Sequence, residues 1–200
     1  MANKVVWIRH GKTAGNLRGA YIGRTDEPLC AEGIEQLKQN FAKKMYPPCD
    51  GKLLVSPLKR CVETAKILFG GVEAETVPDF QETDFGDFEG KSYAELNGNP
   101  AYQRWIDSGG TIPFPGGEAP EDFRNRCVRA FAEQMKKIPD GQTVVIVCHG
   151  GTIMAILDAF SFPHRGFYEW QVRNGEGFCG RYEPETGQLV EITPLMGQEE

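Results

Sequence analysis

The 200-residue chain has no apolar run near the roughly 18 residues that a membrane-spanning helix needs, which excludes that class of membrane protein. It also lacks a dense run of lysine or arginine, and its formal net charge is −6. A nucleic-acid backbone or an anionic membrane is therefore not its main partner, and any anion site has to be local. There is no C-x-x-C pair and no secretory stretch is read at the start; the six cysteines, Cys30, Cys49, Cys61, Cys127, Cys148 and Cys179, are widely scattered. The expectation is reduced thiols in a cytoplasmic protein. No internal repeat, low-complexity segment or linker divides the chain. With 40% hydrophobic and 25% charged residues, residues 1–200 fit one compact domain.

The apolar pattern alternates between strand and helix. Residues 4–8 read as a short buried strand, and 31–45 carry Ile34, Leu37, Phe41 and Met45 at helical spacing, closed by Pro47 and Pro48. A second strand at 52–55 leads to Ser56-Pro57, read as N-cap and first residue of a helix ending at Gly70-Gly71. A third strand is expected at 75–77. Residues 79–117 are rich in Gly, Pro and aromatics, with short helices near 93–96 and 101–107, and read as an insertion over one end of the sheet. A long amphipathic helix at 118–137, the strand "TVVIV" at 143–147 and a helix to about Phe160 follow. Two or three short strand-like runs close the chain. This order predicts a three-layer α/β/α sandwich with a mainly parallel sheet.

In open α/β sheets, ligands bind outside the carboxyl ends of the strands. Two of only three histidines, His10 and His149, directly follow predicted strands, in "WIRHG" and "IVCHGG". Arg9 adds a planar fork suited to phosphate or carboxylate, and Arg60 in "VSPLKRCVETA" lies one helical turn past the second strand. Each alone has an ordinary structural explanation, as a core histidine or a surface ion pair. Together they bring donors to one sheet edge of an acidic protein.

"RHGKTAGN", "GRTDEPLCAEGIEQ", "VSPLKRCVETA", "ETDFGDFEG", "PGGE" and "VCHGG" together resemble, in order, the histidine phosphatase superfamily, the phosphoglycerate mutase-like proteins. The resemblance runs from Val5 to about Leu157. It implies a sheet of about six strands and a first histidine that becomes phosphorylated. Carried over by position, His10 is that nucleophile, while Arg9, Arg60 and His149 hold the phosphoryl oxygens. Asn16 matches a phosphate contact and Glu82 the proton donor. Gly11 and Gly150 would let backbone approach an oxyanion, with Lys12 and Gly23 also on the substrate-binding side.

These residue types suit the chemistry. A neutral imidazole is nucleophilic and forms a labile N–P bond, and two guanidiniums disfavour a positive charge on it while stabilising the transferring phosphoryl. The leaving alkoxide needs a proton, and Glu82 is flanked by Phe80, Phe85 and Phe88, with Asp84, Asp87 and Glu89 as rivals. The resemblance implies no metal and no organic cofactor. "GDFEGKS" is not a P-loop, because only three residues lie between Gly86 and Gly90 where the motif needs four. His164 reads as a surface residue, and Cys148, by strand alternation, as a core residue facing away from His149.

The expected reaction is hydrolysis of a small-molecule phosphomonoester. The pattern is most similar to the α-ribazole phosphatases of the family, and a broad-specificity phosphatase shares much of it. A mutase is expected to carry a basic insertion and "HGN" after the last catalytic strand; this chain reads "HGG" with an acidic segment. A silent binding module would have lost His10, Arg60, Glu82 or His149. Tyr21, Arg24, Tyr93, Trp105 and Phe114 are candidates for the specificity face. Lys12 stands where the family usually has Glu or Gln, so it either recruits a second anionic group or points to solvent. Oligomeric state is left open.

Overall fold

The computed structural model describes residues 1–196. Strand β1 (Asn3–Arg9), the short helix α1 (Ala14–Leu17) and helix α2 (Ala31–Ala42) open the chain. Strand β2 (Lys52–Val55), helix α3 (Lys59–Phe69) and strand β3 (Ala74–Thr76) follow. Two 3₁₀ turns, Pro78–Phe80 and Gly86–Phe88, then precede helices α4 (Tyr93–Leu96) and α5 (Pro100–Asp107). Helix α6 (Pro120–Lys137), strand β4 (Thr143–Cys148) and helix α7 (Gly150–Phe160) return to the sheet. A last 3₁₀ turn, Phe167–Trp170, leads to the hairpin of β5 (Gly177–Glu183) and β6 (Gln188–Pro194).

The six strands lie in the order β3-β2-β4-β1-β5-β6. The first four are mutually parallel, and β5 and β6 are antiparallel additions. The expected mainly parallel, six-stranded α/β fold is what forms. β1 and β4 are buried along nearly their whole length because helices cover both faces. Side chains alternate between the two cores. Val5, Trp7, Val144, Ile146 and Cys148 face one cluster with Phe123, Phe131 and Ile153. Val6, Ile8, Val145 and Val147 face the other with Leu37, Cys61 and Leu68. Each fully buried aliphatic side chain of this kind contributes about 1.5–3 kcal/mol of burial.

Two expectations need correction. Ser56-Pro57 does not start α3, whose N-cap is Leu58 without a side-chain cap; the Ser56 hydroxyl is drawn to His149 instead. Phe41, placed on the apolar face of α2, is 53% exposed, since the helix ends at Ala42 just past it. The segment after β3 builds a small core of its own from Phe88, Leu96, Tyr102 and Phe114, with Tyr21, Phe85 and Trp105 against it.

Candidate active site

The site arises because β2, β4 and β1 are neighbours whose carboxyl ends are level. Arg9 is paired in register with Cys148, and Val55 with Val147. The turn after each strand is then pinned to the next: His10 N donates to Cys148 O at 3.0 Å, and Ser56 N to Val147 O at 3.0 Å. The residues that follow, His10, Ser56 and His149, therefore emerge side by side.

His10 is 3% exposed. Its Nδ1 lies 2.7 Å from Gly11 O, which only accepts, so Nδ1 carries the proton and Nε2 holds the lone pair. Arg60 Nε donates to that Nε2 at 3.2 Å. Burial, then the charges of Arg60 and Arg9, hold the His10 imidazole well below its ordinary value of 6.5, so it is neutral.

His149 lies edge-on to it, with ring centroids 5.2 Å apart. Arg60 Nη2 faces His149 Nδ1 at 3.2 Å, and since a guanidinium only donates, Nδ1 accepts. The proton is then on Nε2, 2.7 Å from Ser56 Oγ. Burial, then Arg60 and His10, also hold His149 well below 6.5. Both imidazoles are neutral and both lone pairs meet Arg60 of α3, but His149 Nδ1 also has Cys61 Sγ at 3.8 Å, whereas His10 Nε2 has no second side-chain partner among the described residues.

Arg60 is fully buried. Its remaining donors go to backbone carbonyls: Nη1 to Thr25 O at 2.8 Å and Nη2 to Gly23 O at 2.7 Å. Arg9 Nη1 donates to Val172 O at 2.7 Å, while its buried Nε has no partner among the described residues. Burial, opposed by Glu82 and reinforced by Arg60, draws Arg9 below the ordinary arginine range. Among the described residues neither guanidinium has a carboxylate within ion-pair distance. Two cations without a counter-ion in a desolvated cleft are costly, and an anionic ligand relieves that cost.

Glu82 is 9% exposed and sits over the first turn of α7. Its Oε1 accepts from Thr83 N at 2.9 Å and its Oε2 from Gly151 N at 3.0 Å. A Cβ at Gly151 would fall 2.3 Å from Glu82 Oε1, so any other residue here would displace the carboxylate. The rivals are used otherwise. Asp84 Oδ1 accepts from Gly86 N, Asp87 is exposed, and Glu89 gathers the N–H groups of Gly23, Arg24, Thr25 and Phe85.

Two cavities meet at Arg9, Gly150 and Met154. One, of about 290 Å³, is lined by Glu82 and by Tyr21, Trp105, Phe114 and Tyr168. The other, of about 790 Å³, lies toward Lys12 and Arg173. Of the proposed specificity residues, Tyr21, Trp105 and Phe114 reach the first cavity. Tyr93 is 67% exposed and Arg24 is drawn to Glu118, so neither lines it.

The remaining expected contacts divide. Gly150 lies beside the Arg9 guanidinium at the start of α7, where helix N–H groups lack intrahelical partners. Asn16 Oδ1 is taken by Thr13 N and Asn174 Nδ2. The N–H groups of Gly11, expected near an oxyanion, and of Gly23, expected on the substrate-binding side, are used within the protein: they donate to Thr64 Oγ1 and to Glu89. Both are glycine for packing, because a Cβ would meet Leu37 at Gly11 and lie 1.9 Å from Thr83 O at Gly23. Lys12 pairs with Glu32 at 2.6 Å on a half-exposed surface. His164 is exposed and lies 3.2 Å from Asp158. Cys148 faces the Phe131 core, its thiol pushed well up by burial.

The family model for the histidine phosphatase superfamily (branch 1) matches residues 5–193. The adenosylcobalamin/alpha-ribazole phosphatase of Salmonella typhimurium is 29% identical over 173 residues, 84% of this chain and 85% of that protein. A 2,3-bisphosphoglycerate-dependent phosphoglycerate mutase of Gloeobacter violaceus is 28% identical over 162 residues, covering 76% and 73%. The crystal structure of the alpha-ribazole phosphatase from Shigella flexneri superposes with a TM-score of 0.80 over 98% of this chain and 99% of that one, at 24% identity. That last likeness speaks to the fold.

Proposed function

This chain belongs to the histidine phosphatase superfamily, and we propose that it is a phosphomonoester hydrolase working through phosphohistidine at His10. The observation that carries this is the pair of guanidiniums, Arg9 and Arg60, that have no carboxylate partner among the described residues and whose charges act on a buried His10 with its lone pair on Nε2.

In the first step the His10 Nε2 lone pair attacks phosphorus in line with the leaving oxygen. The P–O bond breaks, and the alkoxide takes a proton from the Glu82 carboxyl. Nδ1 keeps its proton and donates it to Gly11 O, which supports the positive ring of the phosphohistidine. Arg9 and Arg60 stabilise the charge spread over the equatorial oxygens, with the start of α7 at Gly150 beside them. In the second step Glu82, now a carboxylate, takes a proton from water; the hydroxide attacks phosphorus and the N–P bond returns its electron pair to Nε2.

Glu82 lines the 290 Å³ aromatic cavity, so the alcohol leaves into it. Flat rings set by Tyr21, Trp105 and Phe114 suit a ring-bearing alcohol, and the proposed substrate is α-ribazole phosphate or a close relative. A mutase would need a second anion grip in the same cavity, where, among the described residues, Arg124 is the one basic side chain besides Arg9. Segment 79–117 acts as a cap on a single domain, and six free thiols support a reducing, cytoplasmic setting. The test is release of phosphate from a panel of phosphorylated metabolites including α-ribazole phosphate. Highest kcat/KM on ring-bearing alcohols supports the reading, and transfer to a second sugar acid in place of water would replace it with a mutase.

A further inference from the structure

We propose that Arg126 is a positioning residue for the proton donor Glu82, held in place by Glu118; this rests on the phosphatase reading above. Residues 79–82 run from within the 3₁₀ turn Pro78–Phe80 to just past it, outside the sheet, so their carbonyls have no ladder partner. Buried carbonyls need donors. Arg126 Nη1 donates to Asp79 O and to Gln81 O, both at 2.8 Å, and Nη2 donates to Glu82 O at 3.0 Å. Thr152 Oγ1 supplies the one left out, Phe80 O, at 3.2 Å.

The other donors of the guanidinium go to one carboxylate. Nε meets Glu118 Oε1 at 2.7 Å and Nη2 meets Oε2 at 2.9 Å. A guanidinium has five N–H donors in a fixed fork, and each has an acceptor here. Glu118 also reaches past the donor, since its N–H donates to Asp84 O at 2.9 Å and its Oε2 accepts from Asp84 N at 3.4 Å. The backbone is thus clamped on both sides of Glu82, while Thr83 N and Gly151 N hold its carboxylate. Side chains of the pair are only 10% and 13% exposed, so water does not readily replace these contacts.

Arg126 does not line the cavity at Glu82 and acts through the Glu82 backbone. A shift of about 1 Å in a catalytic group costs on the order of 10²-fold in rate. Lysine at 126 keeps the charge and has three donors on a single nitrogen, which cannot serve five acceptors spread over a planar fork.

The experiment compares wild type, Arg126→Lys, Glu82→Gln and the double variant on 4-nitrophenyl phosphate and on propyl phosphate, whose alkoxide needs the proton. Arg126→Lys should lose at least about tenfold more kcat/KM on the propyl ester than on the nitrophenyl ester. In the Glu82→Gln background that extra loss should vanish. Equal losses on both esters, or an undiminished loss in the double variant, would overturn the positioning role and leave only a structural one. Should Arg126→Lys fail to fold, Glu118→Gln is read by the same two criteria. A wild type that hydrolyses neither ester overturns the phosphatase reading itself, whereas turnover without the ester difference overturns the clamp alone.

Discussion

The Nε of Arg60 donates to the Nε2 of His10 across 3.2 Å, so the cation that would hold a phosphoryl oxygen also guards the lone pair of the proposed nucleophile. The same guanidinium excludes a proton from that nitrogen, because burial and the charges of Arg60 and Arg9 hold His10 well below 6.5. The acid limb of kcat/KM should therefore lie below pH 6.5. Arg60→Gln should move it upward and lower kcat/KM by about 10²–10³. A pH–rate profile measures both, and an unmoved limb would separate Arg60 from the protonation of His10.

Stability carries the same sign. The unfolded chain binds protons to His10 and His149 near 6.5 and the folded chain does so only well below it. The stability these rings contribute is complete above pH 6.5 and is lost as pH falls from there toward their folded values. Urea midpoints should drop between pH 7 and pH 5, and less steeply in His149→Asn. An identical slope in that variant would contradict the assignment of a neutral buried ring.

Glu82→Gln keeps the shape of the site and removes the proton. Loss of kcat/KM should reach about 10²–10⁴ on alkyl esters and stay small on nitrophenyl phosphate. Similar losses on both would point to another acid.

Glu89 holds residues 23–25 through their N–H groups, and the carbonyls of Gly23 and Thr25 in turn hold Arg60. Glu89→Gln should cost about 2 kcal/mol of stability, in the range for hydrogen bonds to a charged group. It should also weaken inhibition by inorganic phosphate. Unchanged inhibition would show that Arg60 keeps its place without this loop.

Lys12 is paired to Glu32 in a half-exposed position. Such a pair is worth about 0–1 kcal/mol, so Lys12→Gln should leave stability nearly unchanged. KM should be the same on esters with and without a second negative group. A rise confined to the second kind would give Lys12 a recruiting role.

Much of this site was legible in the sequence because parallel strands deliver their following residues to one edge. His10 and His149 each follow an apolar run, and Arg60 comes a turn into the next helix. The supports were not legible. Arg9 is held by Val172 and Gly11 by Thr64, contacts between residues far apart in the chain that no local pattern encodes. Ser56 shows the conflict directly: its position before a proline reads as a helix cap, but a buried imidazole 2.7 Å away takes the hydroxyl. Helix α1 was missed because it is one turn long; it is held by a reciprocal cap between Thr13 and Asn16. Glu118 and Arg126 lie eight residues apart on either side of a helix start, and only the fold brings them under Glu82.

The most direct test is to mix the protein with a phosphomonoester, quench in alkali to preserve the N–P bond, and locate the phosphate by peptide mass spectrometry. The account predicts phosphate on His10 in the wild type, accumulating further in Glu82→Gln with nitrophenyl phosphate, and neither phosphate nor turnover in His10→Ala. Phosphate on another residue, or near-normal turnover in His10→Ala, would contradict it.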